Sequence, residues 1–352
     1  MRHIVVLCGG KSAEHDVSLL STAAVIKNLD STRFQVSVVG IGRDGKSFLR
    51  SDLESELELD PDRERPAFPS DNWISYLLTV DPENSVVLPI LHGPCGEDGT
   101  VQGMLEVLGL PYVGAGVGAS AVGMNKIYCK SILRAVDIPV LPWLSVNRAE
   151  WGSSSSRVVK RAESELGYPI FVKPANMGSS VGINKSHGRG ELMEHVEEAF
   201  AFDDYVVLEP GIDAREIEVS VLGGFVPCAS VPGEIVPAEE FYSYEAKYLK
   251  EGSRLLIPAP LHETELEKIK KLSIKAFQAL QLEGMARVDF LMDRKSGEIW
   301  VNEPNTIPGF TQISMYPKLW EASGLPYSKL LEKLIELGLE RHQRRSKFSV
   351  SR

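Results

Sequence analysis

The chain has 352 residues, a formal net charge of −10, 43% apolar and 24% charged residues, and 4 cysteines. The length indicates two or three domains, and the charge excludes a general attraction to nucleic acid or to an anionic membrane. The sequence contains no apolar run of about 18 residues that could span a membrane, and its cysteines form no C-x-x-C pair, which favours a reducing, cytoplasmic location.

The first part of the chain predicts an open α/β sheet. The apolar run 4–8 is typical of a buried parallel strand, and a pair of glycines follows it. A helix over about 14–28 and a second strand over 34–41 come next. Ligands bind where the strands of such sheets end, so this order predicts a site near the first turn. A further strand at 86–91 runs into a glycine-rich loop at 92–99.

Two segments match phosphate-binding patterns, and we interpret both as turns. Residues 40–47 fit G-x-x-x-x-G-K-S, but Asp44-Gly45 is a strong hairpin signal, which favours a return strand over a helix at the lysine. Residues 114–119 fit G-x-G-x-x-A. They lie well past the first strand–helix unit and lack the acidic residue about 20 positions further on. We therefore predict a tight turn between packed elements there.

The middle of the chain predicts a phosphate-binding loop. A helix is predicted over 125–136, a polar loop over 151–156 and a strand over 170–173. A loop rich in glycine and serine follows at 174–182, and such loops can turn backbone N–H groups onto phosphate oxygens. The stretch 239–258 lacks periodicity and is long for a passive loop, which favours a lid.

Two strand patterns flank a turn at 293–297 and predict a β-hairpin. With the turn centred there, Asp289 lies opposite Glu303 and Arg287 opposite Asn305, and all four side chains share one face. One interpretation is a solvated sheet face with a salt bridge. The other is a site for Mg²⁺, which prefers carboxylate oxygens and substrate phosphates, with the arginine stabilising charge on a transferring phosphoryl group.

Motifs along nearly the whole chain resemble those of the D-alanine–D-alanine ligases, members of the ATP-grasp superfamily. The matching segments are 9–18, 91–99, 171–174, 178–182, 244–248, 287–289 and 302–311. The resemblance implies an α/β fold, α+β in its ATP-grasp part, with an N-terminal open sheet followed by a two-domain clamp. We place the three regions at 1–125, 126–216 and 217–352.

The resemblance also implies a reaction and its ligands. ATP phosphorylates the carboxylate of one D-alanine, the amine of a second attacks the acyl phosphate, and D-alanyl-D-alanine is released for peptidoglycan synthesis. The implied cofactors are ATP as co-substrate and two Mg²⁺ or Mn²⁺ ions. The implied partners are small molecules, with no nucleic acid and no membrane, and a homodimer is expected.

Residue roles follow from the matching positions. For ATP, the resemblance implies phosphate binding by Lys126, Lys173, Lys247 and the loop with Ser179 and Ser180, and nucleoside binding by Glu209, Ile212, Glu216 and Phe241. For the amino acids, it implies Glu14 and His92 at the first D-alanine, Arg287 at the tetrahedral intermediate, and Gly309 with Ser314 at the second carboxylate. The metal ligands implied are Asp289, Glu303 and Asn305. Glu14, Ser179 and Tyr248 would lock the lid.

Some positions depart from the family pattern, and rival functions remain. Pro304 stands between two metal-ligand positions and suggests an edge strand, while Pro210 follows Glu209.

A ligase that forms D-alanyl-D-lactate is the nearest rival function, and the motif 244–248 argues against it. Another ATP-grasp carboxylate–amine ligase and a non-catalytic nucleotide-binding module are the others. The proton acceptor for the second amine is left open between His92 and Ser314.

Overall fold

The computed structural model describes residues 1–47, 57, 67, 72–237 and 254–349. Its strands are β1 (Arg2–Gly9), β2 (Phe34–Ile41), β3 (Ser85–Ile90), β4 (Leu144–Asn147), β5 (Ile170–Pro174), β6 (Asn184–Ser186), β7 (Tyr205–Pro210), β8 (Ala214–Gly223), β9 (Cys228–Ala229), β10 (Gly233–Val236), β11 (Arg254–Leu256), β12 (Gly284–Asp293) and β13 (Ile299–Asn305). Its helices are α1 (His15–Asn28), α2 (Trp73–Leu77), α3 (Thr100–Val107), α4 (Val117–Met124), α5 (Lys126–Ala135), α6 (Arg148–Glu165), α7 (Arg189–Ala199), α8 (Glu263–Ala279), α9 (Met315–Ala322) and α10 (Tyr327–Arg345).

The first sheet has the order β2-β1-β3, and both strand pairs are parallel. Its middle strand forms because residues 4–8 are apolar without interruption, and each of them is fully buried. A continuous apolar run of this kind is typical of a parallel strand covered on both faces. The predicted α/β class and the open parallel sheet are therefore confirmed.

The second sheet has the order β4-β7-β5-β6 and is antiparallel. Helices α6 and α7 share its apolar core. The predicted polar loop at 151–156 is wrong, because these residues lie in α6 with a kink at Ser154. Trp151 anchors the segment: its side chain is buried, and its indole N–H donates to Glu197 at 2.5 Å. A run of serines thus continues as helix because one aromatic side chain fixes it to the core.

The third sheet has the order β11-β10-β8-β12-β13, and β9 pairs with β8. The predicted hairpin is confirmed, since Asp289 pairs with Glu303 and Arg287 with Asn305 in the β12–β13 register. A bulge follows Asp289. Pro304 lies in β13 at the edge of the sheet, as its missing N–H predicts.

One apolar core connects the first and third regions. It contains residues of β1 and α1 together with Phe310, Tyr316 and Leu334 from the end of the chain. The C-terminal helix α10 also joins these regions, because Arg341 in this helix is 4% exposed and donates to the carbonyls of Gly114 and Tyr112. The proposed boundary at 216/217 falls within β8, and the division into three domains stays a prediction.

Each of the two phosphate-like motifs contains a turn. After β2, the N–H of Gly42 donates to the Lys46 carbonyl at 2.7 Å, and Ile41 bridges Ser47 in antiparallel fashion. These contacts confirm the predicted turn, while the return strand beyond residue 47 lies outside the described residues. Gly114 has a φ of 100° and packs against Gly284, which agrees with a tight turn at the start of the second motif. Residues 117–119 of that motif form the first turn of α4 instead. No helix in the part of the chain described here is long and apolar enough to cross a membrane.

Candidate functional site

A cleft of about 620 Å³ opens between the second and third sheets, a size within the usual range for small-molecule sites. The second sheet contributes Lys173 and Glu209, and the third contributes Glu216, Asp289 and Glu303. Ser180 and Ile212 line the same space. Seven residues predicted to bind ATP or metal from separate parts of the sequence are thus brought to one cavity.

Glu209 lies at the buried end of this cleft between two lysines. Its Oε2 accepts a hydrogen bond from Lys173 Nζ at 2.6 Å, and its Oε1 lies 2.6 Å from Lys130 Nζ. Burial raises the pKa of Glu209, but the two ammonium groups outweigh burial and lower it to about 2. The carboxylate is therefore ionised and can accept a hydrogen bond from an amino group.

The glycine- and serine-rich loop after β5 joins the start of α5. Lys126 Nζ donates to the Met177 carbonyl at 2.5 Å and lies 3.6 Å from a Glu303 oxygen. Ser179 and Ser180 have φ values of 47° and 62°. Non-glycine residues seldom adopt this left-handed conformation, and it is concentrated at functional sites. The loop is therefore held in a shape that the tertiary contacts impose.

The hairpin face carries a compact cluster of charge. Arg287 donates to both oxygens of Asp289 at 2.7 Å, and the Asn305 amide donates to one of them at 2.9 Å. Arg287 Nε also lies 3.0 Å from Glu218, which pairs with Asp289 in the β12–β8 register. Arg287 is thus held by carboxylates from two neighbouring strands.

The hairpin donors suit a hard cation in their chemistry. Asp289, Glu303 and Asn305 offer only carboxylate and amide oxygens, which Mg²⁺ prefers. Within the described ranges, no three His, Cys, Asp or Glu side chains form a ready-made metal site. Arg287 occupies both Asp289 oxygens in this structure. The donor set fits the ion, provided that Arg287 gives up part of its contact with Asp289.

Glu14 lies where the first sheet meets the phosphate loop. It occupies the N-cap position of α1 and accepts a hydrogen bond from Ser179. Ser18, one turn into α1, accepts from the Gly9 N–H at 2.8 Å and donates to the Ile90 carbonyl. The segment 9–18 therefore fixes Glu14 relative to the ends of β1 and β3.

His92 is buried and held in one tautomer. Its Nδ1 lies 2.9 Å from the Ile307 carbonyl, and a carbonyl oxygen only accepts, so Nδ1 carries the proton. Its Nε2 lies 3.3 Å from the Ser21 hydroxyl. Burial lowers the pKa of His92, while the Glu14 charge opposes this. The neutral imidazole presents Nε2 as an acceptor.

Glu97 lies beside this corner and links two loops. It accepts from the Gly93 N–H at 2.8 Å and from the Ile307 N–H at 3.3 Å. Burial, followed by the Glu14 charge, raises the pKa of Glu97 to about 8. The hydrogen bonds of Glu97 to the Gly93 and Ile307 N–H groups hold the loop 92–99 against the segment that carries Gly309 and Ser314.

Gly309 and Ser314 are in contact at the start of α9. A Cβ on Gly309 would lie 2.8 Å from Ser314 Oγ, so a side chain at this position would displace the Ser314 hydroxyl. Ser314 Oγ accepts from the Thr311 N–H at 3.0 Å and lies 2.7 Å from the Thr311 hydroxyl. The two predicted residues thus form one polar corner.

Some residues of the predicted site lie outside the part of the chain that the structure describes. Phe241, Lys247 and Tyr248, and most of the predicted lid 239–258, lie outside the described residues. Sequence reasoning missed Lys130 and Glu218. The available signals were weak: Lys130 follows Lys126 by one helical turn, and Glu218 follows Glu216 by one strand repeat.

Comparison with protein families gives two matches. The profile described as D-ala D-ala ligase N-terminus matches residues 3–115, and that described as D-ala D-ala ligase C-terminus matches residues 132–336. A protein named D-alanine--D-alanine ligase from Heliobacterium modesticaldum is 48% identical, over 99% of this chain and 98% of its own. One of the same name from Clostridium acetobutylicum is 45% identical, over 97% and 99%.

Solved structures with the same fold include two ligases. The structure of the D-alanine-D-alanine ligase from Coxiella burnetii superposes with a TM-score of 0.81 and 37% identity, covering 98% of this chain and 96% of that one. The VanG D-Ala:D-Ser ligase from Enterococcus faecalis gives a TM-score of 0.79 and 31% identity, covering 96% and 99%. These neighbours confirm the predicted fold class.

Proposed function

The chain belongs to the D-alanine–D-alanine ligase family, and we propose that its cleft joins two D-alanines with ATP through a D-alanyl phosphate. The observation that carries this proposal is the shared cleft: the hairpin face with Asp289 and Glu303 forms one wall, and Lys173 and Glu209 lie on the other. One cavity therefore contains a carboxylate suited to the adenine amino group, Glu209, which we call its base-recognition end. It also contains the cations and metal-ligand candidates suited to phosphates, which we call its phosphate end. The product dipeptide would serve peptidoglycan synthesis, as the family implies.

The nucleotide would lie along this cleft. Glu209 is ionised and would accept from the adenine amino group, with the backbone near Ile212 at the ring edge. Glu216 lines the same cleft and would bind the ribose hydroxyls. Lys126, Lys173 and the N–H groups around Ser179 and Ser180 would bind phosphates, because cations and backbone N–H groups complement their charge. Phe241 and Lys247 stay predictions from the family pattern.

Two Mg²⁺ or Mn²⁺ ions are proposed at Asp289, Glu303 and Asn305. The oxygen-only donor set supports them, and Glu218 supports them as well, because it retains Arg287 when Asp289 turns to a cation. Bound there, the ions would neutralise phosphate charge during transfer. Arg287 would then face the tetrahedral intermediate and stabilise its negative oxygen.

The two D-alanines would lie beyond the phosphate end. Glu14 would bind the first ammonium group, and His92 would lie near the first carboxylate. Gly309 and Ser314 would hold the second carboxylate in their polar corner. The contact between Ser179 and Glu14 joins the loop to this corner, and with Tyr248 it would exclude water from an acyl phosphate.

The larger-scale assignments stay predictions beside this function. They are the three regions 1–125, 126–216 and 217–352, the homodimer, the cytoplasmic location and the absence of nucleic-acid and membrane partners. Light scattering during size-exclusion chromatography tests the dimer directly. A mass equal to one chain at assay concentration would contradict it.

The proposed function is tested by ADP release from ATP in a coupled assay. We expect release to require both a divalent cation and D-alanine, because the phosphorylated carboxylate belongs to the first D-alanine. L-alanine and the absence of any amino acid are the controls. Equal release with L-alanine, or none with D-alanine, would contradict the proposal.

A further inference from the structure

Lys130 makes a buried contact that the proposed site does not use. It lies in the middle of α5, its side chain is 2% exposed, and its Nζ is 2.6 Å from Glu209 Oε1. Glu209 is itself 1% exposed, and its other oxygen takes the hydrogen bond from Lys173. Two ammonium groups therefore serve one buried carboxylate.

The two lysines differ in what they can reach. Lys173 and Glu209 both line the cleft, and Lys173 is 13% exposed. Lys130 is almost completely shielded from solvent. A nucleotide that enters the cleft therefore meets Lys173, while Lys130 stays with Glu209.

Moving Lys173 onto a phosphate creates an electrostatic problem. A buried carboxylate left without a cation is strongly destabilised, because its desolvation is no longer compensated. With one lysine, Glu209 and the phosphates would compete for it. With two, Glu209 keeps its charge and its orientation while Lys173 leaves.

The helix itself supports this division of roles. Lys126 and Lys130 are four residues apart and so lie on the same face of α5. Lys126 reaches the phosphate loop and Glu303, and Lys130 reaches Glu209. One helix thus supplies a cation to each end of the cleft.

We propose that Lys130 is a positioning residue, the permanent counter-ion of Glu209, which frees Lys173 to bind nucleotide phosphates. The proposal rests on the proposed function, because it takes the cleft to be the ATP site. Its distinctive consequence is that Lys130 matters for ligands with phosphates much more than for the nucleoside alone.

The test compares the binding of MgADP and adenosine to purified full-length variants by calorimetry. Lys130→Met is expected to weaken MgADP binding by about ten-fold or more while changing adenosine binding by less than about three-fold, because only phosphates compete for Lys173. Lys160→Met, an exposed lysine on α6, is the matched control and should bind both ligands like the wild type.

A double variant separates charge from packing. Lys130→Met combined with Glu209→Gln removes both charges, leaves a carbonyl that accepts from the adenine amino group, and frees Lys173. It should bind MgADP more tightly than Lys130→Met alone, a coupling that a packing role would not produce. If Lys130→Met does not fold, the double variant provides the test on its own. Its ratio of MgADP affinity to adenosine affinity should match that of the wild type, because no buried carboxylate competes with the phosphates for Lys173.

Equal losses for MgADP and adenosine in Lys130→Met, or a double variant that fails to fold or to recover MgADP binding, would overturn the proposal. Assays of the wild-type protein distinguish a failure of the proposed function. In that case the wild-type protein would form no ADP with D-alanine and bind no MgADP, whatever the variants do.

Discussion

Arg287 shows how single side chains are arranged at the phosphate end of the cleft. Its guanidinium contacts Asp289 on its own strand and Glu218 on the neighbouring strand. A guanidinium satisfies a carboxylate with two parallel hydrogen bonds, so Asp289 is strongly held. Glu218 would give Arg287 a second partner if Asp289 turned toward the proposed cation.

Glu218→Gln is therefore expected to lower kcat by about 10- to 100-fold, as loss of a partner behind a metal ligand commonly does. Arg287 would compete harder for Asp289, so half-saturation should need more Mg²⁺. Steady-state kinetics against Mg²⁺ concentration measure both effects.

Glu234→Gln is the matched control for this change. Glu234 forms a buried pair with Arg215 in the same sheet, away from the cleft. Glu234→Gln should lower thermal stability about as much as Glu218→Gln does and should leave the Mg²⁺ dependence of the reaction unchanged. Identical Mg²⁺ curves for the Glu218 variant and wild type would refute the role assigned to Glu218.

Glu303→Gln is expected to lower turnover by at least about 100-fold, because a neutral amide cannot neutralise metal and phosphate charge. Glu321→Gln, an exposed position on α9, should behave like wild type. ADP release at saturating ATP and D-alanine measures the effect, and wild-type-like turnover of the Glu303 variant would exclude Glu303 as a metal ligand.

For individual residues, the sequence predicted contacts within one hairpin and did not predict contacts between elements that are distant along the chain. Arg287, Asp289, Glu303 and Asn305 could be placed on one face because the strand repeat and a short turn fix their register. Lys130 and Glu218 could not be recognised from the same pattern. Their partners, Glu209 and Arg287, lie on other elements, and only the tertiary fold shows the contacts.

Among the elements, the loop 92–99 and the segment 9–18 depend on close approach. Gly93 has a φ of 77°, and a Cβ there would lie 2.6 Å from Ser12 Oγ and 2.9 Å from Glu14 Oε2. Position 93 therefore requires glycine for two reasons: its backbone is left-handed, and a side chain there would overlap the space that Glu14 occupies.

Gly93→Ala is expected to raise the KM for D-alanine at the first subsite by about ten-fold, because displacing a positioned group is costly even when the shift is small. Gly109→Ala is the control. Its φ is 67°, and a Cβ there would meet nothing within 4 Å.

Both glycine variants should lose about 1 kcal/mol of stability from backbone strain, but only the Gly93 variant should change kinetics. Denaturant unfolding and steady-state kinetics measure these quantities. Equal KM values for the two variants would contradict a role for Gly93 in seating Glu14.

Element prediction succeeded where hydrophobic pattern was strong. The apolar run of β1 and the hairpin β12–β13 were predicted correctly because each sequence pattern is compatible with only one type of secondary structure. The start of α6 was mistaken for a loop because glycine and serines have weak helix preference. There the buried Trp151 supplies stability through tertiary packing, which composition does not show.

Over the whole molecule, the C-terminal helix α10 fastens the third region to the first. Arg341 is buried, and its guanidinium donates to the Gly114 carbonyl at 2.5 Å and the Tyr112 carbonyl at 3.2 Å. It also lies over the Tyr112 ring at 3.9 Å. The basic end of the sequence therefore stabilises the position of the first sheet.

Arg341→Leu is expected to lower the free energy of unfolding by about 2–4 kcal/mol, because two buried carbonyls lose their donor. Arg345→Leu removes a more exposed pair with Glu106 and should cost less than about 1 kcal/mol. Denaturant titration compares the two, and equal losses would show that Arg341 does not fasten the helix.

Identification of the reaction products tests whether this cleft makes D-alanyl-D-alanine. Purified protein is given ATP and Mg²⁺ with D-alanine alone, and with D-alanine plus D-lactate or D-serine, and the products are identified by mass spectrometry. We expect D-alanyl-D-alanine as the main product in each mixture, with ADP in equal amount. A depsipeptide or D-alanyl-D-serine as the main product, or ADP without dipeptide, would contradict it.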